Sequence, residues 1–219
     1  MRNFGKVLSF IAVAAFLASC GGPQGDKAQT GEAQEVSVKS GDVTLNVDLA
    51  ASNVEWIGTK PTGQHNGTIS ISEGNLLLAN GAVVGGKFTI DMNSIVCLDL
   101  TDATDNGKLV GHLKSPDFFE VETYPTAVFE ITSAEAVQGN PAATHNITGN
   151  LTMKNVTKSI TFPAMVTVSD NGVTASTPAF LIDRTQWNVQ YGSKTLFANL
   201  KDNFINDEIS LVINLKASL

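Results

Sequence analysis

Few side chains of the kind that do chemistry occur in this 219-residue chain: two cysteines, Cys20 and Cys97, and three histidines, His65, His112 and His145. The histidines have neither HxH nor HExxH spacing, so no metal motif is expected. Each reads better as a hydrogen-bonded surface residue. No Gly-x-Ser-x-Gly elbow is present for a serine nucleophile. Asp99, Asp102 and Asp105, followed by Asn106 and Gly107, invite comparison with a calcium loop. Their spacing misses that template and the closing glutamate is absent, which leaves a solvated acidic loop. Cys97 reads as a small buried apolar residue rather than a reactive thiol. Neither a catalytic centre nor a cofactor is expected.

Cys20 is different, because its neighbours specify a reaction on it. Arg2 and Lys6 precede an apolar run from Val7 to Leu17, and small residues lead up to the cysteine. That is the form of an export signal, too short for the ~20 residues of a membrane-spanning helix. Leu17-Ala18-Ser19-Cys20 resembles a lipobox, where lipid is attached to the cysteine sulfur and the chain is cut before it. Residues 1–19 are thus expected to be a signal peptide, with a membrane-anchored lipoprotein of a Gram-negative cell envelope as the product, facing the periplasm or the surface. Losing Arg2 and Lys6 moves the net charge from −7 to −9. Nucleic acid is then a poor partner, and membrane attachment falls to the acyl chains at Cys20. With Cys20 modified, Cys97 has no cysteine to pair with, and the fold must be held by its core.

Residues 20–41 are rich in Gly, Gln, Ser and charge, and are expected to form a flexible tether. Residues 42–219 read as one domain. Apolar residues recur at every second position, as in Val43-Leu45-Val47, Phe88-Ile90-Met92, Ala127-Phe129-Ile131 and Ile209-Leu211-Ile213-Leu215. This is the period of half-buried strands. Turn signals separate them at Glu73-Gly74-Asn75, Ala79-Asn80-Gly81, Gln138-Gly139-Asn140-Pro141 and Asp170-Asn171-Gly172. A short helix is expected over Asp105–Ser115, stopped by Pro116, with a further turn at Phe118 and Phe119. Strands in this number point to a barrel or a sandwich. Inward-parity Gly149, Ala127 and Ala164 favour an interior that side chains do not fill.

Four stretches carry a family resemblance. They are GKFTIDMNSI from Gly86, GHLKSPDFFEVETYPTAVFEIT from Gly111, ITGNLTMKNVTK from Ile147 and FLIDRTQW from Phe180. In this order they resemble the YceI-like family, from about Asp48 to Ala217. The resemblance implies an all-β fold: an extended eight-stranded antiparallel lipocalin-like barrel with a short helical excursion. It also implies binding of polyisoprenoids or similar long-chain amphiphiles, without catalysis.

Alternation parity selects Phe88, Ile90, Phe129, Ile131, Leu151, Phe162, Phe180 and Ile182 as candidates for an apolar pocket. Arg184 shares the parity of Phe180 and Ile182, so it either meets a ligand headgroup or forms a surface ion pair. His65 is a weaker headgroup candidate. The leading expectation is a carrier or store for an isoprenoid or fatty amphiphile. The competing one is a filled barrel serving as a structural or protein-interaction module.

Overall fold

The computed structural model describes residues 22–36 and 41–219. The signal segment and Cys20 lie outside them. The strands are β1 (Asp26–Lys27), β2 (Gln29–Glu32), β3 (Val43–Val47), β4 (Asn53–Lys60), β5 (Gly63–Ala79), β6 (Ala82–Asp91) and β7 (Val96–Cys97), followed by β8 (Thr126–Ala136), β9 (His145–Met153), β10 (Val156–Ser169), β11 (Gly172–Ser176), β12 (Phe180–Asp183) and β13 (Glu208–Ser218). They form a ring of eight strands. In it β3 and β4 together make one wall position, and β11 and β12 another, each pair lying along β13. Alternation decides the inside: Phe88, Phe129, Ile131, Ile147, Leu151, Phe162 and Phe180 are buried in one core.

At one end the ring is closed by hairpins. Asn80 and Gly81 both have positive φ, which suits the twist of the β5–β6 pair. At the other end Lys154 and Asn155 turn the chain between β9 and β10 in the same left-handed region without any glycine, and Lys154 donates to the Phe118 carbonyl there. The expected turn at Gly74 does not form. β5 runs straight through it, with a bulge between Ile71 and Glu73. A Cβ at Gly74 would lie 2.7 Å from Val47 and 2.9 Å from the Phe88 ring, so this glycine serves close packing rather than a reversal.

The opposite end carries α1 (Ala103–Lys114). It begins earlier than sequence reading places it, because Asp102 accepts from the Thr104 and Asp105 amides as its cap. Phe118 follows it into the core, and Phe119 packs against that core. No helix among the described residues is long and apolar enough to cross a membrane.

The N-terminal segment also departs from expectation. Residues 26–32, read above as flexible tether, are part of the wall. β10 pairs with β11 only over Met165–Ser169, and below that point β10 and β12 are not paired to each other. β2 lies antiparallel against Lys158–Thr161, and β1 lies parallel against Phe180 and Leu181. The strap is fastened at both ends. Ser210 Oγ donates to the Gln24 carbonyl, and Asn150 exchanges two hydrogen bonds with the Gln34 backbone, at 2.9 and 2.7 Å. Composition misled because the strap's side chains are almost all exposed while its backbone does the binding.

Gly25 lets this happen. It has φ +130°, and a Cβ there would lie 2.6 Å from the Ala179 carbonyl oxygen. Lys27 then donates to Glu208 at 2.6 Å. That bond raises the lysine pKa and holds the Glu208 carboxyl below its ordinary value. A depressed carboxyl favours the paired state at neutral pH, and that contribution is lost as pH falls through the depressed value. The raised lysine fails only at the alkaline limit. We expect Gly25→Val to strip hydrogen-exchange protection from residues 26–32 while β9 stays protected. In the wild type, strap protection should hold through neutral pH and drop in acid, with Glu208→Gln removing that step. Unchanged exchange in both variants would show that the strap is held by other contacts.

Candidate functional site

A belt of phenyl rings crosses the interior. Phe88 stacks on Phe129 at 6.5 Å between centroids, Phe129 meets Phe162 at 5.6 Å, and Phe162 stacks on Phe180 at 4.5 Å. Around the belt lies a deep cavity of about 130 Å³. Seven of the eight pocket candidates line it: Phe88, Ile90, Phe129, Ile131, Leu151, Phe162 and Phe180. A second cavity of about 420 Å³ sits at the helical end, where Ile182 joins Ile90 and Leu151 in the lining. The two share Val54, Ile90, Leu151 and Leu211 as wall residues. The inner cavity is almost wholly apolar. The outer one is apolar in depth and polar at its rim, where Lys60, Thr62, Asp202 and Asn203 stand.

The small inward residues divide in their roles. Ala164 borders the inner cavity and Ala127 the outer one. Gly149 leaves no space at all, because the Phe129 ring occupies it: a Cβ would lie 2.5 Å from the ring and 2.6 Å from the Glu130 carbonyl oxygen. Its missing side chain accommodates the belt.

Arg184 corrects the sequence reading. It makes no surface ion pair, since only 1% of it is exposed. Nor is its guanidinium free for a headgroup: it donates to the carbonyls of Asn206, Val189 and Ile205 at 3.2, 2.7 and 3.3 Å. Asp207 lies 3.9 Å away. Burial lowers the arginine pKa, partly offset by Asp207 and Asp183. The side chain therefore borders the outer cavity while binding the 189–206 connection to the end of β12. Trp187, fully buried one turn later, donates to the Leu151 carbonyl at 2.9 Å and ties the same region to β9.

His65 stands at the rim with its Nδ1 2.8 Å from Asp99 Oδ2. Burial alone would raise the Asp99 pKa. Hydrogen bonds from the Asn66 amide, His65 and Cys97 outweigh it and lower the value. The acidic loop is thus not merely solvated: Asp99 organises the rim and Asp102 caps α1.

Sequence reasoning missed two features of the outer cavity. Trp56 lines it, and its indole Nε1–H is buried without an acceptor. The parity with Val54 places Trp56 inward, but nothing in the sequence shows that its donor stays unused. His112 packs edge-on against Phe118 and Tyr191 at 5.0 and 4.7 Å, making an aromatic cluster at the helical end. Those three residues come together only through the fold.

Comparison with known proteins finds the YceI-like domain over residues 45–217. A UPF0312 protein of Pseudomonas aeruginosa is 41% identical over 78 residues, covering 36% of this chain and 35% of the relative. One from Pseudomonas putida is 31% identical over 99 residues, covering 45% and 47%. The matches therefore span between a third and a half of those relatives' length. Among solved structures, Burkholderia cenocepacia BcnA is similar with a TM-score of 0.59 at 24% identity, covering 78% of this chain and 99% of its own. A polyisoprenoid binding domain from Saccharophagus degradans is similar with a TM-score of 0.58 at 17% identity, covering 80% and 97%. Both have the same fold. The strap lies outside the matched domain.

Two substitutions test the packing. Gly149→Val drives a side chain into Phe129 and should cost about 1–3 kcal/mol, as overpacking does. Arg184→Met strips donors from three carbonyls and leaves Asp207 buried without its cation, for a loss of roughly 3–5 kcal/mol. Denaturant melts of the two variants check both. An Arg184→Met protein as stable as wild type would refute the role given to the guanidinium.

Proposed function

The chain belongs to the YceI-like domain family, and from that premise we propose that its barrel takes up the tail of a polyisoprenoid or other long-chain amphiphile, as a carrier or store in the cell envelope. The observation that carries this reading is the pair of cavities with common walls, apolar inside and polar at one rim. The outer cavity falls in the ~300–1,000 Å³ range of ligand pockets. An apolar tail gains about 0.8 kcal/mol for each CH₂ removed from water. A polar end group left at the rim keeps its hydration, and the unpaired Trp56 N–H is a donor it can use. The Saccharophagus degradans domain, which shares the fold and is a polyisoprenoid binding domain, supports the ligand class. Binding rather than catalysis is favoured because the two lining groups best suited to chemistry are committed to structure, Arg184 to carbonyls and His65 to Asp99.

The membrane is the second partner in this proposal, through lipid at Cys20. Gln24, where the strap is already fastened to Ser210, comes four positions after Cys20. At roughly 3.3–3.6 Å per residue that reach is at most about 14 Å. An anchored barrel would sit close against the bilayer rather than on a long tether, within reach of lipids leaving it.

One observation favours the rival reading, a filled barrel with a structural or interaction role: the phenyl belt leaves the inner cavity only about 130 Å³. Organic extraction of the folded protein followed by mass spectrometry separates the two. We expect a stoichiometric amphiphile in wild type and in Glu130→Lys, and none in Phe88→Asp or Phe129→Asp, whose buried carboxylate opposes an apolar tail. Circular dichroism verifies folding. Empty wild-type protein that also fails to bind added polyprenols or quinones would leave the filled barrel as the answer. For the anchor, Cys20→Ala should abolish incorporation of labelled fatty acid and release the protein from membranes. Equal labelling of both forms would exclude Cys20 as the site.

A further inference from the structure

At the rim of the outer cavity, the pairing of β7 with β5 brings together three metal-ligating side chains. Gly67 pairs with Cys97 and Thr68 with Val96. Continuing that antiparallel register by two residues sets His65 opposite Asp99, and alternation puts Cys97 and Asp99 on one face. Gly67 makes the approach possible: a Cβ there would lie 1.8 Å from the Val96 carbonyl oxygen. The result is a thiol, an imidazole and a carboxylate whose ligand atoms all lie within 4.8 Å of one another.

The geometry points to a site for a divalent cation of the zinc class, held by Cys97 Sγ, His65 Nδ1 and Asp99 Oδ2 at the rim of the outer cavity. Tetrahedral zinc, with bonds of about 2.0–2.3 Å, needs ligand atoms about 3.4–3.8 Å apart. His65 Nδ1 and Asp99 Oδ2 are now 2.8 Å apart, and Cys97 Sγ is 3.3 Å from Asp99 Oδ1. Opening the His65–Asp99 contact by roughly half an ångström, with the thiol turned from Oδ1 onto the ion, admits it. As the metal–sulfur bond forms, the Cys97 proton passes to solvent, and His65 binds as neutral imidazole. His65 and Asp99 keep 29% and 30% of their side chains exposed, which leaves the fourth position to water.

The supports that good metal sites require are already in place. The Asn66 amide donates to Asp99 Oδ1 at 2.8 Å, so Oδ2 is left for the ion. The Leu98 amide donates to the Asn66 carbonyl at 2.9 Å and holds the two segments in register. From α1, Asn106 Nδ2 donates to the Cys97 and Leu100 carbonyls, both at 2.9 Å, and fixes the backbone that carries two of the ligands. Motif spacing gives no sign of the site, because the histidine comes from β5 while the cysteine and aspartate come from β7 and the loop after it. Its existence does not rest on the amphiphile reading.

The test uses the full-length chain carrying Cys20→Ala, so that Cys97 is the lone thiol, titrated with Co²⁺ and then Zn²⁺. We expect one equivalent of Co²⁺ with an intense thiolate-to-cobalt charge-transfer band, displaced by Zn²⁺. Cys97→Ser should lose the band. Even a supporting residue typically contributes about 10–100-fold to metal affinity, so His65→Ala and Asp99→Asn should each weaken Co²⁺ binding at least about 10-fold. His145→Ala, far from the trio, should change nothing. Circular dichroism verifies each fold. His65 is partly exposed, so its variant keeps the test decisive even where Cys97→Ser is poorly folded. No band at saturating Co²⁺, a band that survives Cys97→Ser, or an affinity untouched by His65→Ala overturns the proposal.

Discussion

Closure of the wall is the constraint on which everything else depends. A β-sheet that returns on itself satisfies its backbone internally and fixes the enclosed width by strand number. Side chains must then divide a set volume between packing and empty space. Here the division is uneven along the axis. The phenyl belt consumes the middle and needs Gly149 to do so, while the helical end is left open, with aromatic and polar groups around its mouth.

The open end needs its own rigidity, because long connections as well as strand ends line it. Arg184 provides much of it. A single guanidinium reaches three carbonyls of one long connection, which a lysine with its single ammonium centre is ill-suited to do. The indole of Trp187 secures the other side to β9. A charge buried beside an apolar cavity therefore serves shape, and its borders remain polar enough for one end of an amphiphile.

Much of the wall was legible in the sequence because period-2 alternation reports directly on which side of a sheet a residue lies. The residues of the belt follow from parity alone, and so does their lining of the cavities. Parity does not reveal what a neighbour does with the space. Gly149 reads as emptiness and is filled by Phe129, and Gly74 reads as a turn and is a close approach. Parity leaves Arg184 either a headgroup contact or a surface ion pair, and it makes neither, because its partners come from residues 189–206, whose course no local pattern predicts. The meeting of His65 with Cys97 and Asp99 depends on a short pairing between β5 and β7. The strap was least visible, since a segment that binds by its backbone and shows its polar side chains to water has the composition of a linker.

The strap also sets an order of events in time. Gln24 and its partner Ser210 are 186 residues apart, and Gln34 and Asn150 are 116 apart. Contacts this distant along the chain carry a large loop-closure entropy and form slowly. The first described residues to be synthesised can dock only after β9, β10, β12 and β13 exist, so the seam is sealed late, as is the junction of β13 with β3 and β4. Until then the nascent barrel exposes the unpaired edges of β10 and β12, which are templates for aggregation. Ala28, the one strap residue packed on the core, marks where that late step finally excludes water.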